Sequence, residues 1–238
     1  MIRVALFASG QGSNALHLLE TAQSFSQLKI PLVIVDQVAS ALPTVVKAKY
    51  PEVTVAVIER MRLADKNLSQ LEHEQKIIEA LDAHQIDWCF LAGYMRIVGP
   101  LLLQKFTHAG LSRIVNIHPS LLPAYPGLDA YGRAFAANEK ICGATVHFVD
   151  GGIDTGALIA QKSFERLPHE NLDEFTERGK KLEWQLYADV LTTLHREGDL
   201  RPMRNKCIKY FLLYRWQASL IFQSFGFYTL AAASQNST

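Results

Sequence analysis

At 238 residues, 49% hydrophobic and 20% charged, the chain is long enough for one large domain or two small ones around a substantial core, with the make-up of an ordinary soluble globular protein. A net charge of +1 gives no reason to expect nucleic acid or an anionic membrane as a partner, so an anionic substrate must be held by local groups. Three widely spaced cysteines, Cys89, Cys142 and Cys207, with no CxxC, argue against disulfides and a cysteine-held metal. Met1-Ile2-Arg3-Val4 runs straight into a strand with no charged-then-apolar leader, so a cytoplasmic protein is expected.

Ile2 to Ala8 reads as a buried strand, a short apolar run ending in Ser9-Gly10. Gly10-Gln11-Gly12-Ser13-Asn14 follows, then a helical stretch with Leu16, Leu18, Leu19 and Ala22 as apolar positions. Ile30 to Asp36 is a second strand. Ala39 to Tyr50 is a helix with Pro43 in its first turn. Val53 to Ile58 is a third strand, and Leu68 to His84 an amphipathic helix with Leu71, Ile77, Ile78 and Leu81 on one side. Asp87 to Ala92 is a fourth strand, Val98 to Phe106 a short helix, and Ile114 to Ile117 a short strand that breaks into the proline-punctuated loop His118 to Gly127. Strands alternating with helices predict βαβ units and a parallel sheet whose strand ends share one edge. After Gly127 the pattern changes: Asp129 to Ala137 is helical, and Gly143 to Val149 and Leu158 to Phe164 are strands expected to pair across a glycine-rich loop. Leu172 to His195 is a long helix. No repeat or low-complexity linker divides the chain, which predicts one domain with a mixed sheet.

Asn116 and His118 stand two apart where the Ile114 strand opens into its loop. In an extended backbone they project side by side, at the kind of strand end where open α/β sheets keep their chemistry. Each alone also fits a satisfied strand-end Asn and a core His. The loop Asp150-Gly151-Gly152-Ile153-Asp154-Thr155-Gly156 offers Asp154 as a partner that would hold His118 protonated and oriented, or else is an ordinary Asp-Gly turn. Gly10-x-Gly12-x-x-Ala15, with Asp36 closing the second strand, satisfies a loose dinucleotide fingerprint. The same geometry serves any phosphate, because small residues let backbone N–H groups converge at a helix start. A plain turn capped by Ser13 is the remaining reading. His147, inside Thr145-Val146-His147-Phe148-Val149, reads as a structural histidine; the other histidines have no metal-ligand spacing. Cys89 and Cys142 read as core.

In combination, Gly10 to Asn14, Leu91-Ala92-Gly93-Tyr94-Met95-Arg96-Ile97, Asn116-Ile117-His118-Pro119-Ser120-Leu121-Leu122-Pro123, Tyr125-Pro126-Gly127 and Val146 through Gly156 resemble the folate-dependent formyltransferase family, in its ribonucleotide-modifying branch. The resemblance covers roughly residues 1 to 200. It implies an α/β, Rossmann-like, mostly parallel sheet with helices on both faces, the formyltransferase fold, with 201–238 as an apolar tail. It also implies transfer of the formyl group of 10-formyltetrahydrofolate to the amine of glycinamide ribonucleotide in purine biosynthesis, without a metal. Small molecules are then the partners, with no nucleic acid or membrane, in a monomer or homodimer. On this resemblance Asn116 and charged His118 stabilise a tetrahedral intermediate and Asp154 assists proton transfer. Gly12, Ser13, Asn14, Pro119 and Glu183 hold the ribonucleotide. The pterin lies against Met95, Arg96, Ile97 and Val98 and against Asp150, Gly151, Gly152 and Ile153.

The chain departs from the family pattern in three places. Leu128-Asp129-Ala130-Tyr131-Gly132-Arg133 lacks an expected histidine-bearing run. Gln70 stands about where many members carry a basic residue near the phosphate. Beyond about Pro202 the ending is apolar: Trp216 to Ala233 is uncharged over 18 residues, at the lower limit for a membrane span. Gln217, Ser219, Gln223, Ser224 and Gly226 weaken that span, and packing on the body or a second subunit is the expectation. Two other readings stay open: an oxidoreductase using the first glycine loop and Asp36, and a non-catalytic assembly protein using the tail.

Overall fold

From Val4 to Ala8 both faces of the first strand are apolar, so it reads as a continuous hydrophobic run, the pattern of a strand covered on both sides. In the computed structural model, which describes residues 1–60 and 65–203, the chain runs β1 (Ile2–Ala8), α1 (Ser13–Ala22), β2 (Leu28–Val35), α2 (Leu42–Lys49), β3 (Thr54–Val57), α3 (Lys66–Ala83), β4 (Trp88–Leu91) and α4 (Pro100–Lys105). It continues with β5 (Thr107–His108), β6 (Leu111–Ser112), β7 (Ile114–His118), α5 (Ala130–Ala136), β8 (Ile141–Phe148), β9 (Leu158–Glu165) and α6 (Leu172–Glu197). The expected elements are present with ends displaced by at most three residues. The additions are β5 and β6, a hairpin of two-residue strands too short to carry a periodic signal.

Seven strands form one sheet in the order β3-β2-β1-β4-β7-β8-β9. From β3 to β7 all neighbours are parallel, while β8 is antiparallel to β7 and β9 to β8. The sheet is therefore mixed, with the last two strands paired across the glycine-rich loop. Val4, Leu6 and Ala8 of β1 pack in one core with Leu18 and Leu19 of α1, Leu42 of α2 and Leu186 to Leu194 of α6. Ala5 and Phe7 point the other way, into a second core with Ile77 and Leu81 of α3 and Leu102 of α4. Helices thus cover both faces, and each buried aliphatic side chain contributes about 1.5–3 kcal/mol.

Successive strands run outward from β1 to β3 and then return to β1's other side with β4. That reversal opens a crevice at the carboxyl ends of β1 and β4. The two loops there are tied together: Ser9 N donates to the Gly93 carbonyl at 3.2 Å and Met95 N to Ser9 Oγ at 2.8 Å. Residues Met1–Pro202 form one compact unit. The apolar tail, with its packing and membrane readings, lies outside the described residues. Among the described residues no helix is long and apolar enough to cross a membrane.

Candidate active site

The site is built at the end of β7. Asn116 and His118 share a face of that strand, and the antiparallel register of β8 sets His147 opposite Asn116 and Thr145 opposite His118. Asp154 arrives from the loop after β8 with φ 54°, a left-handed conformation that Asp tolerates better than most residues. Two residues on, a Cβ at Gly156 would collide with the Phe148 carbonyl oxygen, so only glycine lets the loop cross β8 this closely.

One carboxylate gathers the polar groups. Asp154 Oδ2 lies 3.2 Å from His118 Nδ1 and accepts from the Gly127 backbone N–H at 2.7 Å. Asp154 Oδ1 lies 3.4 Å from both Asn116 Nδ2 and His147 Nε2, and Asn116 Nδ2 is 3.2 Å from His147 Nε2. Since a carbonyl only accepts, His147 Nδ1–H donates to the Phe148 carbonyl at 2.8 Å and His118 Nε2–H to the Tyr125 carbonyl at 2.8 Å.

Burial pushes the Asp154 carboxyl up, but hydrogen bonds from His147 and Gly127 and the neighbouring imidazoles more than offset it, and its pKa falls to about 2. For His118, burial lowers the pKa below the ordinary imidazole value, against the pull of the Tyr125 carbonyl and Asp154. The expectation of a charged His118 meets that opposing force. Burial disfavours the imidazolium, while oxygens facing both ring nitrogens favour it.

The loop that supplies the Tyr125 carbonyl and the Gly127 N–H is tied down by β8 and β9. Thr145 Oγ1 donates to the Ser120 carbonyl at 2.6 Å and accepts from Leu122 N at 3.0 Å, and Gln161 Nε2 donates to the Leu122 carbonyl at 2.9 Å. Arg133 Nη2 reaches the Tyr125 and Pro126 carbonyls at 3.0 and 2.6 Å.

A cavity of about 540 Å³ opens beside these groups. Asn116, His118 and Asp154 line it together, as do Asn14, Pro119 and Glu183 among the residues assigned to the ribonucleotide. Gly12 and Ser13 stand outside the lining, at the start of α1, where Gly12 is the N-cap and no side chain caps the first turn. The alternative reading of a turn capped by Ser13 does not hold: its side chain is exposed, and the first N–H groups of α1 keep no side-chain partner. Met95, Arg96, Ile97 and Val98 also line the cavity, with Asp150, Gly152 and Ile153, while Gly151 does not. Arg96 is engaged by Asp36, a buried carboxylate, in an ion pair at 2.5 Å. Asp36 is thus buried and faces Arg96, which argues against the exposed ribose-binding role that a dinucleotide reading needs. Asp150 turns inward on its own loop, accepting from Gly152 N at 3.0 Å and Thr155 Oγ1 at 2.6 Å.

Two residues went unassigned on sequence. His147, read as structural, faces Asp154 and Asn116 and lines the cavity. Pairing it opposite Asn116 across β7 and β8 was the signal that could have found it. Tyr131, in the run that lacks the expected histidine, donates to Glu183 Oε1 at 2.5 Å, a contact no local pattern announces. Gln70 does not face the cavity; its Nε2 donates to Glu74 Oε1 at 3.3 Å, against Gly99. Cys89 and Cys142 are buried free thiols, and Cys207 lies outside the described residues. Among the described residues no cluster of His, Cys, Asp or Glu is arranged to hold a metal ion.

The Rossmann-like sheet that carries this site is that of a known class of proteins: residues 2–191 match the family described as formyl transferase. The chain belongs to that family. It is 38% identical over 195 residues to the phosphoribosylglycinamide formyltransferase of Bacillus subtilis (strain 168), covering 82% of this chain and 95% of that one. It is 37% identical over 207 residues to the enzyme of the same description from Haemophilus influenzae, covering 86% and 92%. The crystal structure of phosphoribosylglycinamide formyltransferase from Streptococcus pneumoniae TIGR4 superposes with a TM-score of 0.70 at 36% identity, covering 82% of this chain and 99% of that one.

Proposed function

We propose that this chain transfers the formyl group of 10-formyltetrahydrofolate to the amine of glycinamide ribonucleotide in purine biosynthesis, giving N-formylglycinamide ribonucleotide and tetrahydrofolate. The observation that carries the reading is the single Asp154 carboxylate bound to Asn116, His118 and His147 on the wall of the cavity. Relatives that match nearly their full length carry the same activity in their names.

The amine lone pair forms a bond to the formyl carbon, and the carbonyl electrons move onto oxygen. Collapse of the resulting tetrahedral intermediate breaks the bond to folate nitrogen, which takes up the proton lost by the amine. Asn116 Nδ2–H donates to the oxyanion, and His118, its ring nitrogens facing the Tyr125 carbonyl and Asp154, offsets the negative charge electrostatically as an imidazolium. Asp154, ionised throughout the neutral range, fixes the His118 ring and orients the path, through a water, by which the proton crosses. Burial keeps His118 a weak enough base to release a proton again. Uncapped N–H groups of α1 at Gly12, Ser13 and Asn14 hold the phosphate, with Pro119 and Glu183 along the ribonucleotide. Backbone groups of Met95 to Val98 and of Asp150, Gly152 and Ile153 take the pterin.

The test is formyl transfer followed spectroscopically for wild type, His118→Ala and Asn116→Ala. Turnover in wild type with kcat lower on the order of a hundredfold or more in each variant is the expected result. Release of formate without formylated acceptor identifies a hydrolase on the same scaffold and overturns the transferase reading. Absence of any turnover overturns the mechanism altogether.

A further inference from the structure

Beside the cavity, Tyr131, Asn14 and Glu183 form a polar relay whose arrangement the formyl-transfer steps do not explain. Glu183, on the buried face of α6, is 7% exposed and lines the cavity. Its two oxygens are held from two elements: Tyr131 Oη donates to Oε1 at 2.5 Å and Asn14 Nδ2 to Oε2 at 3.2 Å. Neither donor lies on α6, so the helix alone does not fix the carboxylate.

Tyr131 has a seat made for its ring. Phe175, Gly179 and Glu183 follow one another at four-residue spacing and present one stripe of α6 toward α5. The Tyr131 ring meets Phe175 edge-on at 5.9 Å and 89°, and a Cβ on Gly179 would collide with it. A glycine in mid-helix is unfavourable unless something needs the space. Here the ring occupies it, which carries the hydroxyl to the next turn, where Glu183 stands.

The relay also has a polarity. Asn14 must turn Nδ2 toward the carboxylate, and its Oδ1 is left buried with no hydrogen-bond partner. Tyr131 and Asn14 both donate inward, so what the relay leaves for a ligand is acceptor capacity on Glu183. A ligand end that fits brings donors, hydroxyls or an amine, and not a phosphate.

We infer that Tyr131 is a positioning residue for the acceptor substrate: its hydroxyl sets the Glu183 carboxylate so that the free lone pairs receive hydroxyl or amine donors of the ribonucleotide. The inference rests on the formyl-transfer reading above. It also gives the departure at Leu128 to Arg133 a function, since the run without the histidine supplies a phenol. The hydrogen bonds of Glu183 go to Tyr131 and Asn14 and not to Met95 to Val98 or to Asp150, Gly152 and Ile153, so the formyl donor should not feel the change.

The test is Tyr131→Phe, which keeps the ring in its seat and removes only the hydroxyl. KM for glycinamide ribonucleotide should rise about tenfold, the effect of one hydrogen bond to a charged group, with KM for 10-formyltetrahydrofolate within about twofold of wild type and kcat within about threefold. In a Glu183→Gln background the same substitution should add little, because its effect passes through the carboxylate. Gly179→Ala, which displaces the ring, should reproduce the split and carries the test if Tyr131→Phe does not fold. An unchanged acceptor KM, an equal rise in both KM values, or full additivity with Glu183→Gln overturns the Tyr131 assignment alone. A wild type that transfers no formyl group overturns the reaction assigned above, and this inference with it.

Discussion

Asp154 accepts from the Gly127 N–H and lies within 3.4 Å of the side chains of Asn116, His118 and His147, groups supplied by β7, β8 and the loop after β7, and its ionisation gives the site a signature in stability. Its folded pKa of about 2 lies below the ordinary 3.8. A depressed carboxyl contributes stability that is present above the unfolded pKa and lost as pH falls through the folded one. The difference corresponds to about 2 kcal/mol for this largely buried group. Asp154→Asn should therefore be less stable than wild type by about that amount at pH 6–7, and the gap should close between about pH 4 and pH 2. Denaturant melts of both proteins across that range check it; a gap that stays constant with pH would sink the assignment. Asn116 and His118 were legible as a pair because i, i+2 spacing at a strand end fixes their common face. His147 was not, because its role depends on which residue of β7 it opposes, and register belongs to the sheet.

At the scale of the element, α6 brings Phe175, Gly179, Glu183 and Tyr187 to one face, each with a different task. Its start is fixed by a capping box: Asn171 Oδ1 accepts from Glu174 N at 3.0 Å, and Glu174 Oε2 accepts from Asn171 N at 3.0 Å. Its end is Gly198 in the left-handed conformation, with His195 and Arg196 in the last turn. These signals were all local, and the helix was readable in the sequence to within two residues. Asn171→Ala should cost about 1 kcal/mol and lower Tm by about 2–4 °C while leaving formyl transfer unchanged, measured by calorimetry and turnover on one preparation. By contrast, α1 begins at a glycine with no side-chain cap, and that omission leaves N–H groups available where the proposed phosphate lies. Sequence suggested Ser13 as the cap because serine commonly is one; the left-handed Gly12 makes the turn without it.

For the molecule as a whole, Tyr187 ties α6 to the centre of the sheet. Fully buried, it donates toward the Leu91 carbonyl at 3.1 Å and the Val115 carbonyl at 3.0 Å, and its ring stacks on Phe90 at 5.1 Å. Those carbonyls belong to β4 and β7, the two strands whose ends form the site. Tyr187→Phe keeps the stacking but strands the buried acceptors, and should destabilise the fold by about 1–3 kcal/mol. A loss below about 0.5 kcal/mol in urea titration would show that the sheet carbonyls do not depend on it.

The α/β class, the order of elements, the two-sided core and the strand end bearing Asn116 and His118 followed from the sequence, because hydrophobic period, glycine, proline and capping residues act over a few neighbours. Packing decided the rest: β8 turning antiparallel and bringing His147 opposite Asn116, Asp36 closing on Arg96, and Tyr131 crossing to Glu183. Each of these joins residues at least 30 positions apart, and contacts across such separations depend on which surfaces meet once the sheet twists and the helices settle. The same chain therefore announces its chemistry locally and completes it only when folded.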